Sequence, residues 1–171
     1  MASDSIHDLH KDLFAGDGEE ARAVDPKTAR RKAMDFLARR EYGQVELVRK
    51  LQGAGYAATV AETTVQQLTT DGLQDDRRYA GAFVQSRINQ GKGPARIRAD
   101  LGQRGIASAL VDAALEASGE DWCALARQIR RRKFGNALPA DFRDKARQMR
   151  FLQYRGFEQE QIQAAVGADD D

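Results

Sequence analysis

A single cysteine, Cys123, stands in the 171-residue chain. It rules out an intrachain disulfide and fits a reducing compartment, so a cytoplasmic protein is expected. Prolines number three and aromatic residues make up 7%. β-Branched runs are scarce too, which leaves little material for a sheet. No apolar stretch approaches the roughly 20 residues of a membrane span. The opening MASDSIHDLHKDLF lacks the apolar core of a secretory signal, so no membrane association is expected.

Chemistry is equally sparse. The two histidines, His7 and His10, lie in a polar, glycine-broken stretch over 1–24 that reads as a disordered acidic tail. They have no further His or Cys to complete a metal site. Cys123 has no fixed histidine partner and reads as a half-buried structural thiol. Gly91-Lys92-Gly93 lacks both the upstream glycine and the following Ser or Thr of a phosphate loop. No catalytic, cofactor-binding or metal-binding residue is therefore assigned, and an enzyme is not expected.

What the chain has is helix-forming residues and segregated charge. Ala, Leu, Gln, Arg and Glu dominate, which favours an all-α protein. The net charge is only +1, yet residues 26–168 hold 25 basic against 16 acidic side chains. The stretch 1–25 holds two against seven, and Asp169–Asp171 form an acidic end. A basic body of this kind suits an anionic partner.

Helix signals recur along the body. Asp25-Pro26 is a cap followed by a first-turn proline. Met34 and Leu37 lie on one face with Phe36 beside them, and Val45, Leu47, Val48 and Leu51 form the next apolar face, with Glu46 and Lys50 paired outside. Tyr79, Phe83 and Val84 mark a longer helix, Ile97 and Leu101 another. Trp122, Leu125, Ala126 and Ile129 form a stripe, as do Phe142, Ala146, Met149 and Leu152.

Three segments then align: Leu51-Gln-Gly-Ala-Gly55-Tyr56, Leu101-Gly-Gln-Arg-Gly105-Ile106 and Leu152-Gln-Tyr-Arg-Gly156-Phe157. The leucines are 50 and 51 residues apart. In each, an inward leucine precedes a glycine suited to a left-handed turn. Three copies predict three tandem three-helix units, about nine helices in an elongated array, over 25–72, 73–118 and 119–168. Gly55, Gly105 and Gly156 are its structural glycines.

Positive charge decorates the outer faces. The first unit has Lys27, Arg30, Arg31, Lys32, Arg39 and Arg40. Candidate partner contacts are Arg77, Arg78, Lys92, Arg96, Arg98 and Arg104 in the second. In the third they are Arg127, Arg130, Arg131, Arg132, Lys133, Arg147, Arg150 and Arg155, with Arg143 and Lys145 beside them. Arginine forks onto carboxylates and phosphates alike. Aromatic platforms for bases are few, so any DNA contact would follow the backbone. Arg87, four residues after Phe83, falls near a core face. It either rests its stem on the core and reaches a carboxylate, or braces adjacent units.

The stretch Asp75-Asp76-Arg77-Arg78-Tyr79-Ala80-Gly81-Ala82-Phe83-Val84-Gln85-Ser86-Arg87, then Gly91-Lys92-Gly93-Pro94, Leu101 and Arg104-Gly105-Ile106, resembles the RecX signature. Arg150-Phe151-Leu152-Gln153-Tyr154-Arg155-Gly156-Phe157 is similar to the family's C-terminal motif. Ala38-Arg39-Arg40-Glu41-Tyr42 is similar to its N-terminal one. The resemblance covers about 30–166. It implies tandem three-helix units and a monomeric negative regulator that binds the groove of the RecA nucleoprotein filament. Such a protein blocks filament extension or promotes disassembly, and so damps strand exchange, ATP hydrolysis and LexA cleavage during the SOS response and DNA repair. The alternative is a helical protein that binds single- or double-stranded DNA without sequence preference and competes for it.

Overall fold

The computed structural model of the chain describes residues 18, 20 and 23–167. The expected acidic tail falls largely outside them, as do His7, His10 and Asp169–Asp171. Gly18, Glu20 and Ala23 have helical backbone. From Pro26 onward the described residues form nine helices and no strand. They are α1 (Pro26–Leu37), α2 (Gln44–Gly53), α3 (Ala58–Thr70), α4 (Asp76–Asn89), α5 (Pro94–Gln103), α6 (Ser108–Ala117), α7 (Trp122–Phe134), α8 (Phe142–Tyr154) and α9 (Gln159–Val166). None is long and apolar enough to cross a membrane.

Local chemistry starts and stops these helices. The Asp25 carboxylate accepts the Lys27 N–H at 2.9 Å, ahead of Pro26 in the first turn. That hydrogen bond holds its carboxyl below the ordinary carboxylate value. Asp121 and Asp141 cap α7 and α8 in the same way. At the other end, Gly55, Gly105 and Gly156 adopt φ of 93°, 78° and 89°. The N–H groups of Tyr56, Ile106 and Phe157 then donate back to the carbonyls of Leu51, Leu101 and Leu152 at 3.1, 3.2 and 3.2 Å. The three leucines are fully buried. The repeated sequence is thus a repeated turn that reverses the chain and seals a core position.

The chain divides into two compact units, one through Asp76 and one from Arg77. In the first, α1, α2 and α3 enclose Leu47, Leu51, Ala61, Val65 and Leu68. The buried residues of α1 are Ala29 and Ala33, and Phe36 and Leu37 pack against the same core, whereas Met34 is 37% exposed. Small alanines let α1 lie close against α3. Val45 likewise stays largely outside, leaving Leu47 and Leu51 as the core of α2. Glu46 pairs with Arg40 at 2.6 Å rather than with Lys50. A buried Gln74 donates to the Tyr42 carbonyl at 3.0 Å and to Asp76 at 2.8 Å, closing the unit.

In the second unit, α4–α9 share one core. Tyr79, Val84, Ile97 and Leu101 from the second repeat join Leu125, Ile129, Leu152 and Phe157 from the third. Backbone contact stitches the two repeats together. The Gly93 N–H donates to the Arg155 carbonyl at 2.8 Å and the Ala95 N–H to the Gly156 carbonyl at 3.0 Å. A Cβ on Gly93 would lie 2.3 Å from the Gly156 carbonyl group, so only glycine permits this approach. Gly91-Lys92-Gly93 is therefore a helix connector pressed onto the next repeat's turn.

Candidate functional site

The cationic run Arg130-Arg131-Arg132-Lys133 occupies the last turn of α7. Successive helical residues are about 100° apart, so four in a row encircle the helix and cannot all face water. Arg130 follows Ala126 by four and takes the core side. It is 2% exposed, which corrects its expected place on the contact surface. Its guanidinium donates to three successive carbonyls, Gly135 and Asn136 at 3.2 Å each and Ala137 at 2.8 Å. A fourth bond reaches Gln148 at 3.2 Å. Arg130 thus clasps the loop between α7 and α8. Arg127 is also engaged, donating to the Ala164 carbonyl near the end of α9 at 3.2 Å.

Arg131, Arg132 and Lys133 remain exposed, as do Arg143 and Arg150 on α8, while Lys145 is half-buried. None of the six has an ion pair among the described residues. The second repeat differs. Arg96 pairs with Asp100 at 3.1 Å, and Arg98 pairs with Asp112. Arg104 donates to the Asp100 carbonyl at 3.0 Å. Arg87 lies 3.6 Å from Asp100 and bonds Gln90 at 2.8 Å. It stays within its own repeat, the first of the two readings of its sequence position. Arg77 and Arg78 are exposed and each engaged in an interaction, and Lys92 is half-buried. The first repeat also leaves Lys27, Arg31, Arg39, Arg49 and Lys50 exposed without an ion pair among the described residues. The third repeat thus leaves more of its positive charge unspent than the second.

Part of it converges on a cleft of about 270 Å³. Arg132 and Lys133 of α7 form one wall, with Ile129 beneath. Phe151 of α8 with Arg155 just beyond its end, and Asn89 of α4 with Gln90 just beyond it, complete it. The Arg155 guanidinium is held by the Gln90 carbonyl at 3.0 Å and lies 5.2 Å from the Phe151 ring centre. No carboxylate lines the cleft. Three cations around a partly apolar floor can grip a carboxylate or a phosphate with charge-assisted hydrogen bonds.

Arginines also cover aromatic faces. Arg87 and Arg104 lie 4.5 and 4.8 Å from the centre of Phe83, making that residue half-buried rather than core. Arg147 lies 5.3 Å from the centre of Phe134, which packs edge-on to Phe151. Phe83 and Phe134, and Arg104 and Arg155, are related by the same 51-residue offset as Leu101 and Leu152. These rings are occupied by guanidinium planes, which leaves them poor platforms for bases. Trp122 opens α7 half-buried against the core. Phe142 departs from expectation, being 87% exposed instead of part of the inward stripe. The residues of α8 that face inward are Gln148 and Leu152.

Three family models match in order: the first, second and third three-helix domains of RecX, over residues 29–68, 75–115 and 119–166. A regulatory protein RecX of Pseudomonas fluorescens is 48% identical over 141 residues, covering 82% of this chain and 91% of its own. The chain belongs to the RecX family. Regulatory protein RecX of Halorhodospira halophila is 42% identical over 145 residues, 85% of this chain and 90% of that one. A crystal structure of regulatory protein RecX superposes with a TM-score of 0.71 at 26% identity, covering 85% of this chain and 73% of the other. RecX from Lactobacillus salivarius shares the fold, with a TM-score of 0.64 at 21% identity, covering 84% and 96%. In RecX terms, the basic cleft lies where the second three-helix domain meets the third.

Proposed function

We propose that this RecX-family chain is a non-catalytic, cytoplasmic negative regulator of RecA. It acts as a monomer, binding the RecA–DNA filament, blocking its extension or promoting its disassembly. Strand exchange, ATP hydrolysis and LexA cleavage fall as a consequence. The observation that carries this reading is the unpaired positive charge of the third repeat, gathered at the cleft of Arg132, Lys133 and Arg155. RecA filaments present carboxylates on protein and phosphates on DNA, and the cleft has donors for either. Several modest contacts on one chain add through effective concentration.

The same donor set also fits a bare DNA backbone, which keeps competition for DNA as the second reading. Order of addition separates the two. Substoichiometric chain added to preformed RecA filaments at saturating DNA should slow ATP hydrolysis and LexA cleavage. Inhibition abolished by excess free DNA would sink the filament reading and favour the competitor.

A further inference from the structure

Helix α8 carries a second face that the described chain covers only in part: Met149 packs half-buried against the core, whereas Phe142 and Arg150 are exposed. Its buried side is Gln148 and Leu152. Its other side presents Phe142, Lys145, Ala146, Met149 and Arg150, spaced at helical intervals along one stripe. With Gln163 of α9 they border a groove of about 500 Å³. Phe142 at its head is 87% exposed. This is not a frayed end. Asp141 caps the helix by accepting the Asp144 N–H at 2.7 Å, and Arg130 clamps the preceding loop through three carbonyls. The aromatic ring is held out in water by a built support. A lone exposed apolar residue is ordinary; a rigid one heading a groove with cationic rims is a docking feature.

Charge selects the occupant. Lys145 and Arg150 border the apolar floor and no carboxylate lines the groove. A nucleic acid would neutralise the rims yet leave Ala146 and Met149 facing phosphates and sugars. A neutral apolar helix would bury the cations unpaired, at a high desolvation cost. We propose that the α8 face docks an amphipathic segment of a partner protein, an apolar anchor against Phe142 and Met149 with carboxylates flanking it to meet Lys145 and Arg150. This site is distinct from the Arg132–Lys133–Arg155 cleft. Taking the partner to be a RecA protomer rests on the reading of function above.

The test uses the full chain with a photoreactive benzoylphenylalanine in place of Phe142, and a control with the same group at exposed Glu116. Each is irradiated with RecA filaments assembled on poly(dT) with a slowly hydrolysed ATP analogue. Crosslinks to the RecA protomer from position 142, at least tenfold above position 116, are expected. Phe142→Ser should weaken cosedimentation with filaments at least tenfold, and Phe142→Leu less than threefold, with helicity unchanged in both. Crosslinks only to DNA, or only to a second copy of the chain, overturn the proposal. So does unchanged cosedimentation of Phe142→Ser without crosslinking from 142, a result that leaves the RecA reading standing. Failure of the unmodified chain to cosediment with filaments would instead remove the RecA reading itself.

Discussion

Arg130 and Arg131 are neighbours of identical chemistry with opposite fates. Arg131 projects into water, whereas Arg130 spends four donor contacts inside and leaves its Nε buried without a partner. An arginine held by carbonyls instead of a carboxylate is stable only while the loop keeps its shape, since each carbonyl would otherwise be stranded. Arg130→Ala should therefore cost about 2–4 kcal/mol of unfolding free energy, as expected for breaking a buried polar network. Arg131→Ala should stay within about 0.5 kcal/mol, the usual range of a surface change. Urea denaturation of the two variants checks the contrast. Equal midpoints would show that Arg130 is not a structural clasp. For the same reason, a test of the basic face must leave Arg130 intact.

At the scale of elements, the recurrent Leu-to-Gly turn does two jobs with different energetics. Gly55 has positive φ but open space around its Cβ position, so Gly55→Ala carries only the backbone cost, about 1 kcal/mol. Gly93 has an ordinary extended φ of −82°, and its difficulty is contact: a methyl group would strike the Gly156 backbone at 2.3 Å. Gly93→Ala should cost about 3 kcal/mol, the upper part of the overpacking range, because backbone meets backbone and neither can rotate away. Thermal melting of the two single variants would reverse this order if the seam between the second and third repeats were loose.

On the scale of the whole molecule, charge and core are distributed unevenly among the three repeats. The first repeat has its own core, and the second and third share another. The second repeat neutralises much of its positive charge internally through Asp100 and Asp112, while the third pairs Arg147 with Asp144 at 2.6 Å but leaves Arg131, Arg132, Lys133, Arg143 and Arg150 without an ion pair among the described residues. Charge reversal should follow that asymmetry. Converting Arg131, Arg132 and Lys133 to glutamate should weaken filament binding at least tenfold at low salt and flatten its salt dependence. Converting Arg96 and Arg98 should have a smaller effect on affinity and a larger one on stability, through like-charge contacts with Asp100 and Asp112. Cosedimentation across a salt series measures the first, and chemical denaturation the second.

The sequence by itself was sufficient for the helices, their glycine turns, the threefold repeat and the family motifs, because each depends on neighbours in the chain. Asp25-Pro26 starts a helix, and Gly105 after Leu101 ends one, whatever surrounds them. Helical periodicity also showed which residues share a face, but not which face another helix covers. Hence Ala29 and Ala33 went into the core while Met34 stayed exposed, and Phe142 turned outward while Gln148 went in. Nor could spacing say which arginines are spent. The partner of Arg98 is 14 residues away on α6, and Arg155 meets Gln90 across 65 residues. Only packing brings such groups together, so only the tertiary structure decided where the basic cleft lies. The sequence supplied the cations, and burial and pairing selected those left for a partner.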